Sequence, residues 1–177
     1  MSKSGKPHIN PEDLPYRPCV GQMVINAEGL VWVGRRADIP GDAEGRGTWW
    51  QMPQGGIDAG EEPAKAARRE LFEETAMVSV EQIGELSRWV TYDLPPELIG
   101  VAWGGRYRGQ KQMWFAYRFL GTDSEINITP GEGLEPEFVE WRWTSAHDLL
   151  DLIVPFKRAV YREVLMEFAP LARPTRG

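Results

Sequence analysis

The strongest constraint in the sequence is the stretch GGIDAGEEPAKAARRELFEETAM, Gly55 to Met77, which joins a glycine-containing loop to a helix with acidic side chains on one face. Pro63 suits the first helical turn, where its missing N–H would have had no intrahelical partner. Glu70, Glu73 and Glu74 then fall at i, i+3 and i+4, within reach of one another. Arg69, one turn before Glu73, is its natural ion-pair partner. Neither Glu70 nor Glu74 has a cation among its i±3 and i±4 neighbours. Like charges at this spacing destabilise a helix by a few tenths of a kcal/mol per pair, and by more when partly buried. The face therefore calls for a counter-charge from elsewhere. A hard divalent cation such as Mg²⁺, bound through carboxylates, water and phosphate oxygens, meets that need. Taken alone, three glutamates read first as a solvated acidic face; the context reverses that reading.

Gly55, Glu61, Arg69, Glu70, Leu71, Glu73 and Glu74 match the box of the Nudix family: a glycine, five residues, Glu, seven residues, then Arg-Glu-aliphatic-X-Glu-Glu-X-Gly-aliphatic. Fixed positions in this order are far more specific than a lone glycine motif. The chain resembles that family, with one departure, Ala76 in place of the glycine where the helix ends, followed by Met77. Alanine in a left-handed cap costs about 1 kcal/mol or forces a different exit.

With 177 residues and 42% hydrophobic content, the chain suits one well-packed domain. No apolar run approaches a membrane span, and MSKSGKPHINPEDLP lacks the hydrophobic core of a secretion signal, so the expected location is cytoplasmic. The lone Cys19 excludes an internal disulfide and reads as a small buried hydrophobe. With only His8 and His147 besides, a zinc site is not expected. The net charge of −6 argues against a broad basic surface for nucleic acid, though not against gripping one terminus.

The expected organisation is a loose tail over residues 1–16, one domain over 17–170 and a loose tail over 171–177. VGQMVIN and LVWVGRR read as strands joined by a turn at Gly29, and residues 37–48 as a polar loop. A short strand over Trp49–Met52 leads into Pro53-Gln54-Gly55-Gly56. On the helix, Ala64, Ala67 and Leu71 form the packing flank. VSVEQIGEL, WVTYDL, KQMWFAYRFL, EINIT and FVEWRWT read as further strands. Ser145 caps a short helix, and Pro155 opens another in which Phe156, Val160, Val164 and Phe168 recur every fourth residue. The result is an α+β class. The family resemblance implies, more specifically, a mixed sheet between helices with the C-terminal helix closing the domain.

Beyond the box, YRPCV (16–20), WQMPQGG (50–56), GQKQMWF (109–115), EINI (125–128), PEF (136–138), WRW (141–143) and FKRAVYR (156–162) resemble bacterial RNA pyrophosphohydrolases. The same set is similar to the bacterial and plant dinucleoside polyphosphate hydrolases. The longer 37–48 loop and the extended N-terminal tail are the main departures. This resemblance implies hydrolysis of the 5′ triphosphate end of RNA to a 5′ monophosphate, releasing pyrophosphate or phosphate, a step that promotes mRNA decay. It assigns metal binding to Glu70, Glu73, Glu74 and Glu137, with the Gly55 carbonyl as a further ligand, and Mg²⁺ as the ion, Mn²⁺ being able to substitute. Glu73, Glu74 and Arg69 are the catalytic candidates, with one of the two glutamates as general base. Glu61 and Glu62 are second-tier candidates, each also readable as a helix N-terminal acid. Arg35, Arg36, Gln110 and Lys111 are candidates for phosphate or terminal-nucleotide contacts, and Phe156 with Lys157 for stacking and clamping the first base. Trp49 and Trp50 are expected to border the site.

Three readings follow. The first is the RNA-end hydrolase, the second a hydrolase of free dinucleoside polyphosphates, the third a non-catalytic nucleotide sensor. The crowding of mutually repelling acids speaks against the third. No protein partner is implied.

Overall fold

The computed structural model describes residues 8–37 and 48–175. Part of the expected N-terminal tail and nearly all of the polar 37–48 loop therefore lie outside the described residues. In chain order the elements are β1 (Tyr16–Ile25), β2 (Val31–Arg36), β3 (Trp50–Gln51), β4 (Gln54–Gly56), α1 (Pro63–Thr75), β5 (Val80–Glu85), β6 (Val90–Asp93), β7 (Gly109–Phe119), β8 (Phe138–Thr144), α2 (Leu149–Leu152) and α3 (Arg158–Phe168).

The sheet is built on β1 and β7, which run parallel from Tyr16 opposite Gly109 to Ile25 opposite Arg118. A parallel pair cannot be closed by a tight turn; the crossover between these strands contains α1. Strands buried on both faces carry near-continuous apolar sequence, and β1 is buried without a break from Cys19 to Ile25. All other pairings are antiparallel: β2 and β4 join β1, β3 and β8 join β2, and β5 and β6 join β7. The α+β class and the mixed sheet between helices are as expected.

Neighbouring residues of a strand face opposite sides, and here the two sides have different covers. On one, the Trp114 ring meets Tyr161 of α3 edge-on, with centroids 5.7 Å apart. The parallel register puts Arg17, Cys19 and Gly21 beside Gln110, Gln112 and Trp114 on that face. On the other side lies α1, whose Ala66, Ala67 and Leu71 are fully buried. Ala64, expected in that flank, is exposed, and Ala66 takes its place.

Two expectations about chain ends and edges change. The EINIT segment forms no strand; after a 3₁₀ turn at Asp123–Glu125 it binds the exit of α1. The Asn127 N–H donates to Thr75 O at 2.9 Å. Glu125 accepts from Ser79 Oγ at 2.6 Å and from the Ser79 N–H at 3.2 Å. Its polar groups satisfy the helix end instead of a sheet edge. At the C-terminus, residues expected to be loose are tied down as far as Thr175, whose N–H donates to Ala27 O at 2.9 Å. Arg118 donates to Leu171 O at 3.1 Å beside it. No helix of the described residues is long and apolar enough to cross a membrane.

The family's missing glycine leaves its mark at Ala76, which adopts the left-handed conformation at φ 61°, ψ 9°. Its N–H still reaches Phe72 O at 2.8 Å, so the helix ends as a glycine would end it, with strain at one residue. Ala76→Gly is expected to raise stability by about 0.5–1 kcal/mol, the relief of the left-handed alanine less the added freedom of glycine in the unfolded chain. Urea denaturation measures it; an unchanged or lower midpoint would show that the Glu125 and Asn127 contacts alone set the helix exit.

Candidate active site

Arg69 leaves α1 as the centre of an acidic cluster. Its Nε and Nη2 donate to the two oxygens of Glu61, each at 2.8 Å, and Nη2 also donates to Gly56 O at 2.9 Å. Nη1 donates to Glu70 at 2.9 Å and to Glu73 at 3.2 Å. The planar fork thereby finds an acceptor in every direction it points. The pairing with Glu73 is as the helix spacing predicts. The pairing with Glu70 corrects the expectation that Glu70 has no local cation: an adjacent arginine is long enough to fold back over its neighbour, which the i±3 and i±4 rule does not count.

Glu61 owes its place to this clamp. The Arg69 guanidinium and then the Asp58 N–H hold its carboxyl at a pKa of about 2. The residue ties the loop after β4 to α1, which fixes where Glu70, Glu73 and Glu74 stand relative to Gly55. Glu62 is exposed, at the N-cap of α1, without a side-chain capping bond.

Glu70, Glu73, Glu74 and Glu137 line one cavity of about 300 Å³ together with Ile128, Thr129 and Glu135. Three elements supply it: α1, the segment after the 3₁₀ turn, and the approach to β8. Glu70 is mostly buried, and burial raises its pKa, Arg69 opposing. Glu73 is 54% exposed. Glu74 is the anomaly, for its Oε2 is sealed from solvent and has no hydrogen-bond partner. Burial first, then the charges of Glu137 and Glu70, push its pKa well above the ordinary range. Glu137 is held by Arg36 Nη1 at 3.1 Å.

Among the described residues no three acidic, histidine or cysteine side chains converge on one point as they stand. The reason is visible in the pairings: Arg69 draws Glu70 and Glu73 toward itself, and Arg36 draws Glu137. The donor set nonetheless fits a hard divalent cation. A buried carboxylate oxygen without a partner, between two further carboxylates, is stabilised by a cation that replaces the missing donor. Gly55 fits the same picture, since a Cβ there would lie 2.0 Å from the Glu70 carboxyl carbon. Only glycine lets the β4 backbone lie against the acid.

The other nominated residues divide. Gln110 is 3% exposed, on the α3 face. Lys111, next in β7, leaves on the opposite face, with its ammonium 5.0 Å from the Trp89 ring centroid, so the two do not act on one group. Arg35 pairs with Glu140 at 3.2 Å on the surface, and Arg36 serves Glu137. Phe156 is half-buried, its ring tilted against Tyr92 at 5.8 Å, and Lys157 is buried over the same tyrosine at 5.5 Å. Trp50, expected at the border, is buried with Arg142 stacked on it at 4.4 Å; Trp49 is half-buried.

Sequence reasoning passed over Arg17 and Gln54. A Cβ on Gly56 would stand 2.8 Å from Arg17 Nη2, whose charge also reaches Glu70 and whose guanidinium lies over Trp103 at 5.8 Å. Gln54 accepts from Gln112 at 3.3 Å. The two glycines of β4 thus separate two half-sites: Gly55 faces the carboxylates, Gly56 faces Arg17 and the glutamines.

The NUDIX domain family model matches residues 15–164 of this chain. The chain is similar to the RNA pyrophosphohydrolase of Brucella ovis, 59% identical over 166 residues that cover 93% of each protein. It is 58% identical over 176 residues to that of Mesorhizobium japonicum, covering 98% of this chain and 100% of the relative. Among solved structures it resembles a Caenorhabditis elegans Ap4A hydrolase binary complex, TM-score 0.60 and 15% identity, covering 87% of this chain and 98% of the other. It also resembles the Escherichia coli dihydroneopterin triphosphate pyrophosphohydrolase, TM-score 0.61 and 18% identity, over 86% and 98%. At such identities the structural likeness speaks for the fold alone.

The Glu61 clamp carries a pH dependence with a definite sign. Its folded pKa of about 2 lies below the ordinary value of 4.5, so its contribution is complete above 4.5 and is lost as pH falls toward about 2. Glu61→Gln should be less stable at neutral pH and lose less stability across that acid window. Chemical denaturation at several pH values checks it; parallel acid limbs for variant and wild type would remove Glu61 from the account.

Proposed function

The chain belongs to the NUDIX family, and from that premise we propose that it is an RNA pyrophosphohydrolase, hydrolysing the 5′ triphosphate end of RNA to a 5′ monophosphate with release of pyrophosphate or phosphate. The reaction breaks a phosphoric anhydride bond, the chemistry common to the family. The observation that supports the substrate is the 58–59% identity, over nearly the whole chain, to proteins of that name. The physical arrangement supports the chemistry, with a carboxylate cavity on one side of β4 and cationic and amide groups on the other. A triphosphate on a nucleoside spans such a divide.

In this reading Glu70, Glu73, Glu74 and Glu137 would hold divalent metal, Glu73 from the exposed rim, with the Gly55 carbonyl as a further ligand. Magnesium is the proposed ion, with manganese able to substitute. A bound dication supplies charge neutralisation at phosphate oxygens and a lowered pKa for a coordinated water. The chain's own residues do the rest. Glu73 or Glu74 takes the proton of the attacking water. Arg69 orients the carboxylates and restrains the loop through Gly56 O. Arg17 stands on the substrate's path past Gly56, where its charge offsets that of the phosphates. Phe156 and Lys157 are proposed to bound the first base, Phe156 by stacking and Lys157 by fixing the tyrosine beneath it. Mutual repulsion among the acids gives a pure nucleotide sensor no advantage. The proposed place of action is the cytoplasm.

Two measurements test this. Turnover of a short triphosphorylated RNA and of diadenosine tetraphosphate is compared at equal Mg²⁺. RNA should be the better substrate, and rapid cleavage of the dinucleotide with RNA untouched would replace this substrate with the other. Glu74→Gln should lower kcat by about 100-fold or more while leaving the thermal transition intact, because it removes the charge that the proposed chemistry needs from a side chain with one oxygen that the fold leaves without a partner. Undiminished turnover in that variant, or in excess chelator, would overturn the assignment of the cavity.

A further inference from the structure

The α3 face of β7 carries polar side chains where a buried strand would ordinarily be apolar. Gln110, Gln112 and Trp114 alternate on that face, all of them almost fully buried. They form a chain of hydrogen bonds. Trp114 Nε1 donates to Gln112 Oε1 at 2.8 Å, and Gln112 Nε2 donates to Gln110 Oε1 at 2.8 Å and to Gln54 Oε1 at 3.3 Å.

The order of these bonds is dictated by one group. An indole N–H can only donate, so Gln112 must turn its carbonyl oxygen to Trp114. Its NH₂ is then committed to the other side, where Gln110 and Gln54 must meet it with their oxygens. Their own NH₂ groups are left pointing onward, and neither has an acceptor among the described residues. Neither amide nitrogen is sealed from solvent, so both remain open to an incoming group. Gly21 secures the source of the polarity, since a Cβ there would come 2.3 Å from the Trp114 ring. Tyr161 closes the other side of the indole and anchors its hydroxyl on the Met52 N–H at 2.8 Å.

We propose that Trp114 and Gln112 are positioning residues that polarise this amide chain, so that Gln54 and Gln110 meet the substrate as hydrogen-bond donors only. The groups they select are acceptors, the phosphate oxygens of the triphosphate or the carbonyl edge of a purine beside it. The inference rests on the substrate reading above and adds to it Gln54 as a contact and Trp114–Gln112 as its control. A freely rotating glutamine offers either end to a ligand. A glutamine whose oxygen is already held offers one, which rejects a donor-bearing group at the same position.

Replacement at Gln112 tests the idea, because that residue touches no substrate. Gln112→Glu keeps the shape and removes the donors; the carboxylate then accepts from Trp114 and from both glutamines, which rotate and present their oxygens. Gln112→Leu removes the relay without reversing it. The expected order is KM raised about 10- to 100-fold in Gln112→Glu, less in Gln112→Leu, with the smaller effect on kcat in both. A merely structural role predicts the opposite order, the near-isosteric Glu being milder. A KM for Gln112→Glu equal to wild type, or raised less than that of Gln112→Leu, overturns the proposal.

Should either variant fail to fold, the wild type provides the second measurement. Titration with a non-hydrolysable triphosphate analogue should move the side-chain ¹⁵NH₂ resonances of Gln54 and Gln110 downfield while the Trp114 indole N–H stays slow to exchange. Unmoved glutamine signals in a saturated complex, or a rapidly exchanging indole, sink the relay. The series is read on whichever substrate the wild type cleaves. Wild type inert toward RNA but active on the dinucleotide therefore counts against the RNA reading alone.

Discussion

Everything at this site depends on one arginine lying among carboxylates that would otherwise drive one another apart. Arg69 holds Glu61 with a two-pronged fork, reaches Glu70 and Glu73 with its remaining nitrogen, and fastens the Gly56 carbonyl. A lysine could supply the charge but not this geometry, because its donors diverge from a single atom. The arginine leaves one carboxylate out. Glu74 sits behind the others, its carboxyl bonded to the Gln54 backbone but with one oxygen sealed and without a partner, and the cost of that unpaired oxygen is what a divalent ion relieves on the proposed reading. Arg36 plays a smaller part at the far wall, tying Glu137 to β2.

The second constraint is the glycine pair of β4. A side chain at Gly55 would collide with Glu70 and one at Gly56 would push aside the end of Arg17, and strand alternation turns these two contacts to opposite faces. The acidic half-site and the cationic, amide-rich half-site are thus separated by little more than a bare peptide backbone. A net charge of −6 for the chain is then no obstacle to an anionic ligand, because the acids are gathered on one side of that backbone and the arginine on the other.

Much of the acidic half-site was legible because it is local. A helix repeats every few residues, so Glu70, Glu73, Glu74, their arginine and the proline that starts the turn can be placed from spacing alone. What could not be read is what depends on the chain's return. The partnership of β1 with β7 brings Arg17 beside Gln110 across a long stretch of sequence, and no periodicity announces that register. Glu137 could be named by resemblance, but its restraint by Arg36 could not. EINIT looked like a strand on its β-branched content, whereas its hydrogen bonds go to the exit of α1, a tertiary demand that overrides propensity. One signal was present and passed over. The glutamines at alternate positions of GQKQMWF, Gln110 and Gln112, in a strand otherwise fit for the core, mark a face with something to bind.

That face ties specificity to the core more tightly than a surface contact would. Trp114 is fully buried and packs on Tyr161, and the absence of a side chain at Gly21 makes room for it. The same indole that fills the interior also carries the N–H that orders the glutamines. A buried amide chain satisfied at only one end would destabilise the fold, since each unpaired group forfeits its hydration. Here the closed end lies in the core and the open end faces the half-site, so the ligand supplies the acceptors that the protein withholds. Mutational drift of the core is therefore restrained by binding as well as by packing: a phenylalanine at 114 would keep an apolar aromatic ring in the core and leave Gln112 free to turn.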